Sequence, residues 1–450
     1  MRALPVILLI AAITLSSPAA PADAGQSVDD LFKPVAGGKS PGAAVAVIRD
    51  GQVVFMKAYG MANVEKATPN STATIFRLAS VTKTFTAIAV LQLVESGKLK
   101  LDDPLSKYVP DFPNGDKVRI SHLLSHTAGV PDFISPEEAS RRGLEFEPGT
   151  RINYSNNGYH LLGKVIEKVS GQPWEEYLKS HIFEPLGMAH TGYDKTDELA
   201  GRAAPYLFGK DGAYAPVAAQ DARGAYAAGG LYSTVEDMAR WEQGLDAGKL
   251  LRADTLALAS TPGTLPDGRR TAYGYGWMTS TYRGLREVGH GGDITGFNTF
   301  VARYPDEKFT VIVLENMGMR PPGPLPDAGN LAHQIAAIWL AGRMQNPDAR
   351  PNFAVSPSTL DSYVGRFKLN APDAVVQAMG SLLTFSREGD HLAAEVNGQQ
   401  IPLDAKSEAV FQAFGSPAVL TFIRDKDGKC TEVVVTLMGL REFRAFRVEP

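Results

Sequence analysis

The chain has 450 residues, 45 basic against 49 acidic side chains for a formal net charge of −4, and 44% hydrophobic against 21% charged residues. That length favours two domains over a single core, and the composition is that of a globular protein. No basic tract or stripe is present, which excludes an electrostatic nucleic-acid partner, and the single cysteine, Cys430, excludes an internal disulfide.

The first residues, MRALPVILLIAAITLSSPAAPADAG, are laid out as a signal peptide: Arg2, an apolar run from Leu4 to Leu15, then small residues at Ala22 and Ala24. Cleavage after Ala24 sends the protein to the periplasm or outside the cell. An uncleaved anchor is the alternative, against which the apolar run is short. No later run is long enough to span, so no stable membrane anchor is expected.

AAVAVIRDGQVVFMKAYG (43–60) reads as two strands joined at Asp50-Gly51. Helical and loop-rich sequence follows from about 78 to 260, and strand-like runs return at 274–282, 286–305 and 309–316. After a proline-rich segment, LAHQIAAIWLAGRM (331–344) reads as a helix with Leu331, Ile335 and Ile338 on one face, suited to lie on a sheet. A sheet split by a long helical insertion is α+β, not a repeating βα pattern. Linker composition follows, and then short strands with turn pairs Asn397-Gly398 and Asp427-Gly428. These read as a small all-β barrel or sandwich, structural or modulating access. The expected division is a leader 1–24, a first domain 25–345, a linker 346–358 and a β domain 359–450.

One local breach of rule points to chemistry. From Ala79 to Val94 the sequence is that of a buried helix, and its one charged side chain is Lys83. Lysine is almost never fully buried without reason, and a helix N-terminus disfavours a cation. Burial and the dipole both push such an amine toward neutrality, where it becomes a base. Ser80 lies one turn earlier on the same face. A hydroxyl beside a base, with N–H groups at a helix start for an oxyanion, is the layout acyl transfer needs. The bland reading is a Ser80 cap with Lys83 reaching water.

Two further elements bear on the choice. Tyr154-Ser155-Asn156 precedes a helical pattern, so a phenol and an amide two residues apart can face one cleft, or Ser155 or Asn156 can simply cap the helix. VGHGGDITGFNT (288–299) places Gly291 and Gly292 in a strand-like run, where a backbone or ligand can come close. Other signals fade. His122 and His126 are four apart without the glutamate of a zinc-protease helix, which leaves them structural. Gly38-Lys39-Ser40 is no phosphate loop, because Lys33 occupies the position needing glycine. Ser233 and Glu236 read as a helix capping box.

Ser80-Val81-Thr82-Lys83, Tyr154-Ser155-Asn156 and His290-Gly291-Gly292 together resemble the penicillin-recognising serine hydrolases, in the class C β-lactamase, D-alanyl-D-alanine carboxypeptidase and carboxylesterase branch. LLSHTAGV (123–130) and GGLYSTVEDMARW (229–241) are also similar to recurrent segments of that family. LDSYVGRF (360–367) opens a part that looks like the lipocalin-like β domain that often follows such catalytic domains. The resemblance implies a β-lactamase/transpeptidase-like α+β catalytic domain with a helical subdomain. It implies Ser80 as nucleophile, Lys83 and Tyr154 as base and acid in shares the sequence leaves open, and Asn156 as the holder of the acyl group's amide. His290, Gly291 and Gly292 would line the substrate, and the N–H groups of Ser80 and Asp293 would bind the oxyanion. No metal or organic cofactor is needed; the partner is a small-molecule or peptide substrate. Such β-lactamases usually carry Lys-Thr-Gly where this chain has His290-Gly291-Gly292, which weakens binding of a substrate carboxylate. An ester or amide hydrolase is therefore expected ahead of a β-lactamase or carboxypeptidase, with a catalytically weak binding protein as the alternative of another class.

Overall fold

The computed structural model describes residues 23–448 apart from 133, 194–198, 210–211, 219–222, 319–324, 347–352, 372–374, 377–379, 397–398, 414–417 and 438. Most of the expected leader, much of the expected linker and the Asn397-Gly398 pair lie outside the described residues. Strands β1 (Ala43–Arg49) and β2 (Gln52–Tyr59) form the expected hairpin. Asp50 and Gly51 both take positive φ, 50° and 73°, as a tight hairpin turn requires. The returning strands are β3 (Met278–Tyr282), β4 (Leu285–Ile294), β5 (Phe297–Tyr304) and β6 (Phe309–Glu315). The run at 286–305 is thus two strands, broken where Gly296 turns the chain at φ 81°. Residues 274–277 precede β3 and are not strand.

All six strands make one antiparallel sheet in the order β3-β4-β5-β6-β1-β2, so the N-terminal hairpin pairs with the last strand across the whole insertion. β1 and β6 are covered on both faces, which is why they read as continuous apolar runs. Ala44, Ala46, Ile48, Ile312 and Leu314 enter one core, while Ala43, Val45, Val47, Val311 and Val313 enter another. The second core is closed by helices α1 (Ala24–Leu31) and α5 (Ala328–Trp339). Leu331 and Ile335 are buried there, but Ile338 sits at the margin and Ala328, Ala332 and Ala336 complete the face. The first core holds α2 (Thr82–Glu95), α3 (Asn156–Ser170) and α4 (Val235–Asp246). Thr234, not Ser233, caps α4: its Oγ1 accepts from the Asp237 N–H at 3.1 Å. Ser233 belongs to a short strand and meets the Thr191 hydroxyl, so the helix starts one residue later than the sequence pattern predicts.

The C-terminal region is a closed eight-stranded antiparallel barrel, β7 (Gly365–Asn370) to β14 (Arg441–Arg447). Alternate residues such as Phe367, Phe385, Phe411, Phe422 and Phe443 fill its interior, and Cys430 is buried among them. Helix α6 (Pro357–Tyr363) supplies Leu360 and Tyr363 to the same core. The chain is therefore α+β with a small all-β barrel. Among the described residues no helix is long and apolar enough to cross a membrane.

Candidate active site

Ser80 sits in a 3-10 turn, Ala79–Val81, that runs directly into α2. The turn is strained: Ala79 has φ 45°, a left-handed conformation that non-glycine residues rarely hold. Its surroundings enforce it. The Leu78 N–H donates to Leu231 O at 2.9 Å, the Thr299 hydroxyl donates to Leu78 O at 3.0 Å, and the Leu231 N–H donates to Thr82 Oγ1 at 3.1 Å.

Lys83 is the second residue of α2 and is 0% exposed. Its Nζ lies 2.8 Å from Asn156 Oδ1, 2.7 Å from the carbonyl of Ala228 and 3.1 Å from Ser80 Oγ. Two of these neighbours can only accept, so they take two N–H bonds of the amine. The third is a hydroxyl, which can donate into the lone pair left on a neutral amine. Burial lowers the Lys83 pKa from 10.5 to about 7, with Asp132 pulling it back up and Arg441 pushing it further down. Lys83 thus stands at the edge of neutrality beside the hydroxyl it would deprotonate.

Tyr154 closes the group from the loop before α3. Burial raises the pKa of its phenol, with the Ser80 side chain pulling the other way, so the ring stays un-ionised. Lys83 Nζ lies 4.7 Å from the centre of this ring. Ser155 caps α3 by accepting from the Gly158 N–H at 3.0 Å, so the cap and the functional placement coexist and the first enforces the second. The Asn156 amide is orientated by Asp132, whose Oδ1 accepts from the Asn156 backbone N–H at 3.0 Å and from its Nδ2 at 3.4 Å. That leaves the amide oxygen facing Lys83.

The glycine element lies in β4, against the Ser80 turn. A Cβ on Gly292 would stand 2.2 Å from Leu78 O and 2.5 Å from Thr299 Oγ1, so only glycine lets the strand approach. A Cβ on Gly291 would meet the Phe300 ring at 3.2 Å. Gly292→Ala is expected to cost about 1–3 kcal/mol of stability; an unchanged melting temperature in calorimetry would contradict the contact. Asp293 follows at the strand's end, its carboxylate accepting from Asn298 Nδ2 at 3.1 Å. His290 is 2% exposed. Its Nδ1 donates to Gly291 O at 2.6 Å, and its Nε2 accepts from the Tyr273 hydroxyl at 2.8 Å. Burial, then the nearby Lys83 charge, lowers its pKa to about 3, so the ring is neutral and turned toward Tyr273.

Several residues here gave no functional signal in the sequence. His126, in the segment LLSHTAGV, accepts the Ser155 N–H on Nδ1 at 3.1 Å and lies 4.2 Å from the centre of the Tyr154 ring. It is buried, with φ 58° and a pKa held well below normal by burial. His122 instead accepts the Arg119 N–H on Nδ1 at 3.2 Å, in a helix cap. Asp132 lies on a loop that Asn157 Nδ2 holds through Pro131 O and Ile134 O, at 2.9 and 3.1 Å. Arg441 comes from the barrel. Among the described residues no group of His, Cys, Asp or Glu is disposed to hold a metal ion.

The sequence matches the model of the family described as Beta-lactamase over residues 28–335. It is 30% identical over 327 residues to Protein flp of Staphylococcus aureus (strain N315), covering 66% of this chain and 64% of that one. The chain spans 63–69% of the length of the curated relatives it matches first. The octameric penicillin-binding protein homologue from Pyrococcus abyssi is similar over 94% of this chain and 100% of its own, at 27% identity and a TM-score of 0.62. D-amino acid amidase from Ochrobactrum anthropi SV3, complexed with L-phenylalanine amide, is similar over 71% of this chain and 99% of its own, at 25% identity and a TM-score of 0.62.

Proposed function

The chain belongs to the Beta-lactamase family of serine hydrolases, and on that footing we propose that it cleaves ester or amide bonds of small molecules or D-amino-acid peptides through an acyl-enzyme on Ser80. The observation that carries this reading is the amine of Lys83, buried, near-neutral and 3.1 Å from Ser80 Oγ. Lys83 takes the hydroxyl proton as Ser80 Oγ bonds to the substrate carbonyl carbon. The backbone N–H groups of Ser80 and Asp293 bind the oxyanion. As the tetrahedral intermediate collapses, the Tyr154 phenol gives its proton to the departing alkoxide or amine and is recharged from the Lys83 ammonium. Water then attacks the acyl carbon, losing a proton to the same pair, and as the bond to Ser80 Oγ breaks that proton passes to Ser80 and the acid leaves. Asn156 holds the acyl group's amide, and Gly291 and Gly292 let the substrate lie along β4.

Substrate class follows from what stands behind that strand. Neutral, buried His290 offers no cation for a substrate carboxylate, unlike the lysine usual at this position. Esters and D-amino-acid amides are therefore favoured over β-lactams and C-terminal D-alanine, and the amide preference agrees with the likeness to a D-amino acid amidase. The leader's layout supports a site of action in the periplasm or outside the cell.

A fluorophosphonate probe followed by tryptic mass spectrometry tests the assignment. The adduct is expected on the peptide Leu78–Lys83, at Ser80. Labelling elsewhere, or none, would leave a binding protein on a hydrolase scaffold. Within a panel of esters, D-amino-acid amides and a chromogenic cephalosporin, the cephalosporin is expected to be the poorest substrate; its hydrolysis far ahead of the esters would overturn the argument from His290.

A further inference from the structure

We propose that the C-terminal barrel supplies a positioning residue to the active site: Arg441, whose guanidinium clamps Asp132 and through it sets the orientation of Asn156 and the protonation of Lys83. The proposal rests on the reading of Ser80 and Lys83 as nucleophile and base.

The connection is continuous. Arg441 Nη2 lies 2.7 Å from Asp132 Oδ2, with side-chain exposures of 19% and 5%. The other oxygen of Asp132 holds the Asn156 backbone N–H and side-chain amide, and the Asn156 oxygen accepts from Lys83 at 2.8 Å. Without a carboxylate on its NH2 side, the amide could turn and set N–H against N–H at Lys83. The barrel is fastened at the same place. The Tyr154 N–H donates to Leu440 O at 2.9 Å, Asn153 bridges to Arg441, and Leu440 packs with Ile152 and Tyr273. The guanidinium carbon lies 5.6 Å from the centre of the Tyr154 ring. A second tie, Arg269 to Glu442 at 2.6 Å, holds the start of β14 to the catalytic region.

Electrostatics gives the pair a consequence that packing alone does not have. The other titratable groups around Lys83 are uncharged near neutrality: His126, His160 and His290 have pKa values lowered by burial, and the phenols of Tyr154 and Tyr159 have raised ones. Among the described residues, Asp132 and Arg441 are the charges that act on Lys83, with opposite signs. Removing one leaves the other uncompensated.

The test is the acid limb of kcat/KM for a small activated ester, measured on the full chain. Arg441→Gln is expected to move the limb up by about one pH unit, a tenfold loss on the acid side. Asp132→Asn, which keeps the size and an acceptor, is expected to move it down. The double variant returns it toward wild type, and Arg441→Lys leaves it near wild type. A merely structural clamp would lower turnover evenly without moving the limb. Unmoved limbs, or shifts of the same sign in both single variants, overturn the proposal. Should Arg441→Gln fail to fold, the sign of the Asp132→Asn shift decides. Ser80→Ala run alongside separates the two levels. If it retains turnover, the acyl-enzyme reading fails; if it is dead while the limbs stay put, only the role of Arg441 does.

Discussion

Ser80→Ala is expected to lower ester turnover by about 10⁴-fold or more while leaving the fold and its melting temperature intact. The size follows from what the hydroxyl does: without it no acyl-enzyme forms, and only binding and the oxyanion donors remain. The fold should tolerate the change because Ser80 is half-buried and the strained turn is held by Leu78, Thr82, Leu231 and Thr299, none of which bonds through the Ser80 side chain. Steady-state kinetics with an activated ester, paired with calorimetry, measures both halves. Turnover within tenfold of wild type would show that another group attacks the carbonyl.

Lys83→Arg is expected to be nearly as damaging, at about 10²- to 10⁴-fold. It conserves charge and length but cannot serve as a base, since a guanidinium does not lose its proton in a protein. In the wild type, kcat/KM should rise with pH through an acid limb near 7, where the buried amine becomes neutral. A stability signature accompanies it. The amine titrates near 10.5 when exposed and about 7 in the fold, so between those values the unfolded chain binds more protons than the native one. Stability of the wild type relative to Lys83→Met must therefore rise as pH increases from about 7 to 10.5, by up to about 1.4 kcal/mol per unit. The burial cost is largest below pH 7. Denaturant titrations of both proteins at pH 6, 8 and 10 measure this slope (pH values about two units apart suffice). A flat difference would place a charged lysine in the native site at all three.

The chemistry was legible where it broke a local rule. A lone ammonium in an apolar helix, one turn from a serine, needs no knowledge of the rest of the chain to be suspicious. Ser155 shows the other side of local reading: it caps α3, as the bland reading had it, and by doing so it turns Tyr154 and Asn156 toward Lys83. His126 lies in the family-like segment LLSHTAGV and in a histidine pair with no metal to hold, but its role was not legible, because its contacts with Ser155 and Tyr154 come from residues 29 and 28 positions away. Asp132 and Arg441 are 309 residues apart, and nothing near either one marks it. The strands of the barrel read as a structural or access-modulating unit, and nothing in them marks that β14 begins beside Tyr154.

By itself the sequence determined the α+β sheet, a small all-β domain after it, the Asp50-Gly51 hairpin, and the pairing of Ser80 with Lys83, because periodicity and turn chemistry act over a few residues; closure of that last domain into a barrel came from the tertiary structure. The tertiary structure alone decided that Lys83 is fully buried, that His290 is neutral and faces Tyr273, and that Arg441 pairs with Asp132 beside the amine. Proton affinity depends on which charges and how much water surround a group, and those neighbours are brought in by packing from distant parts of the chain.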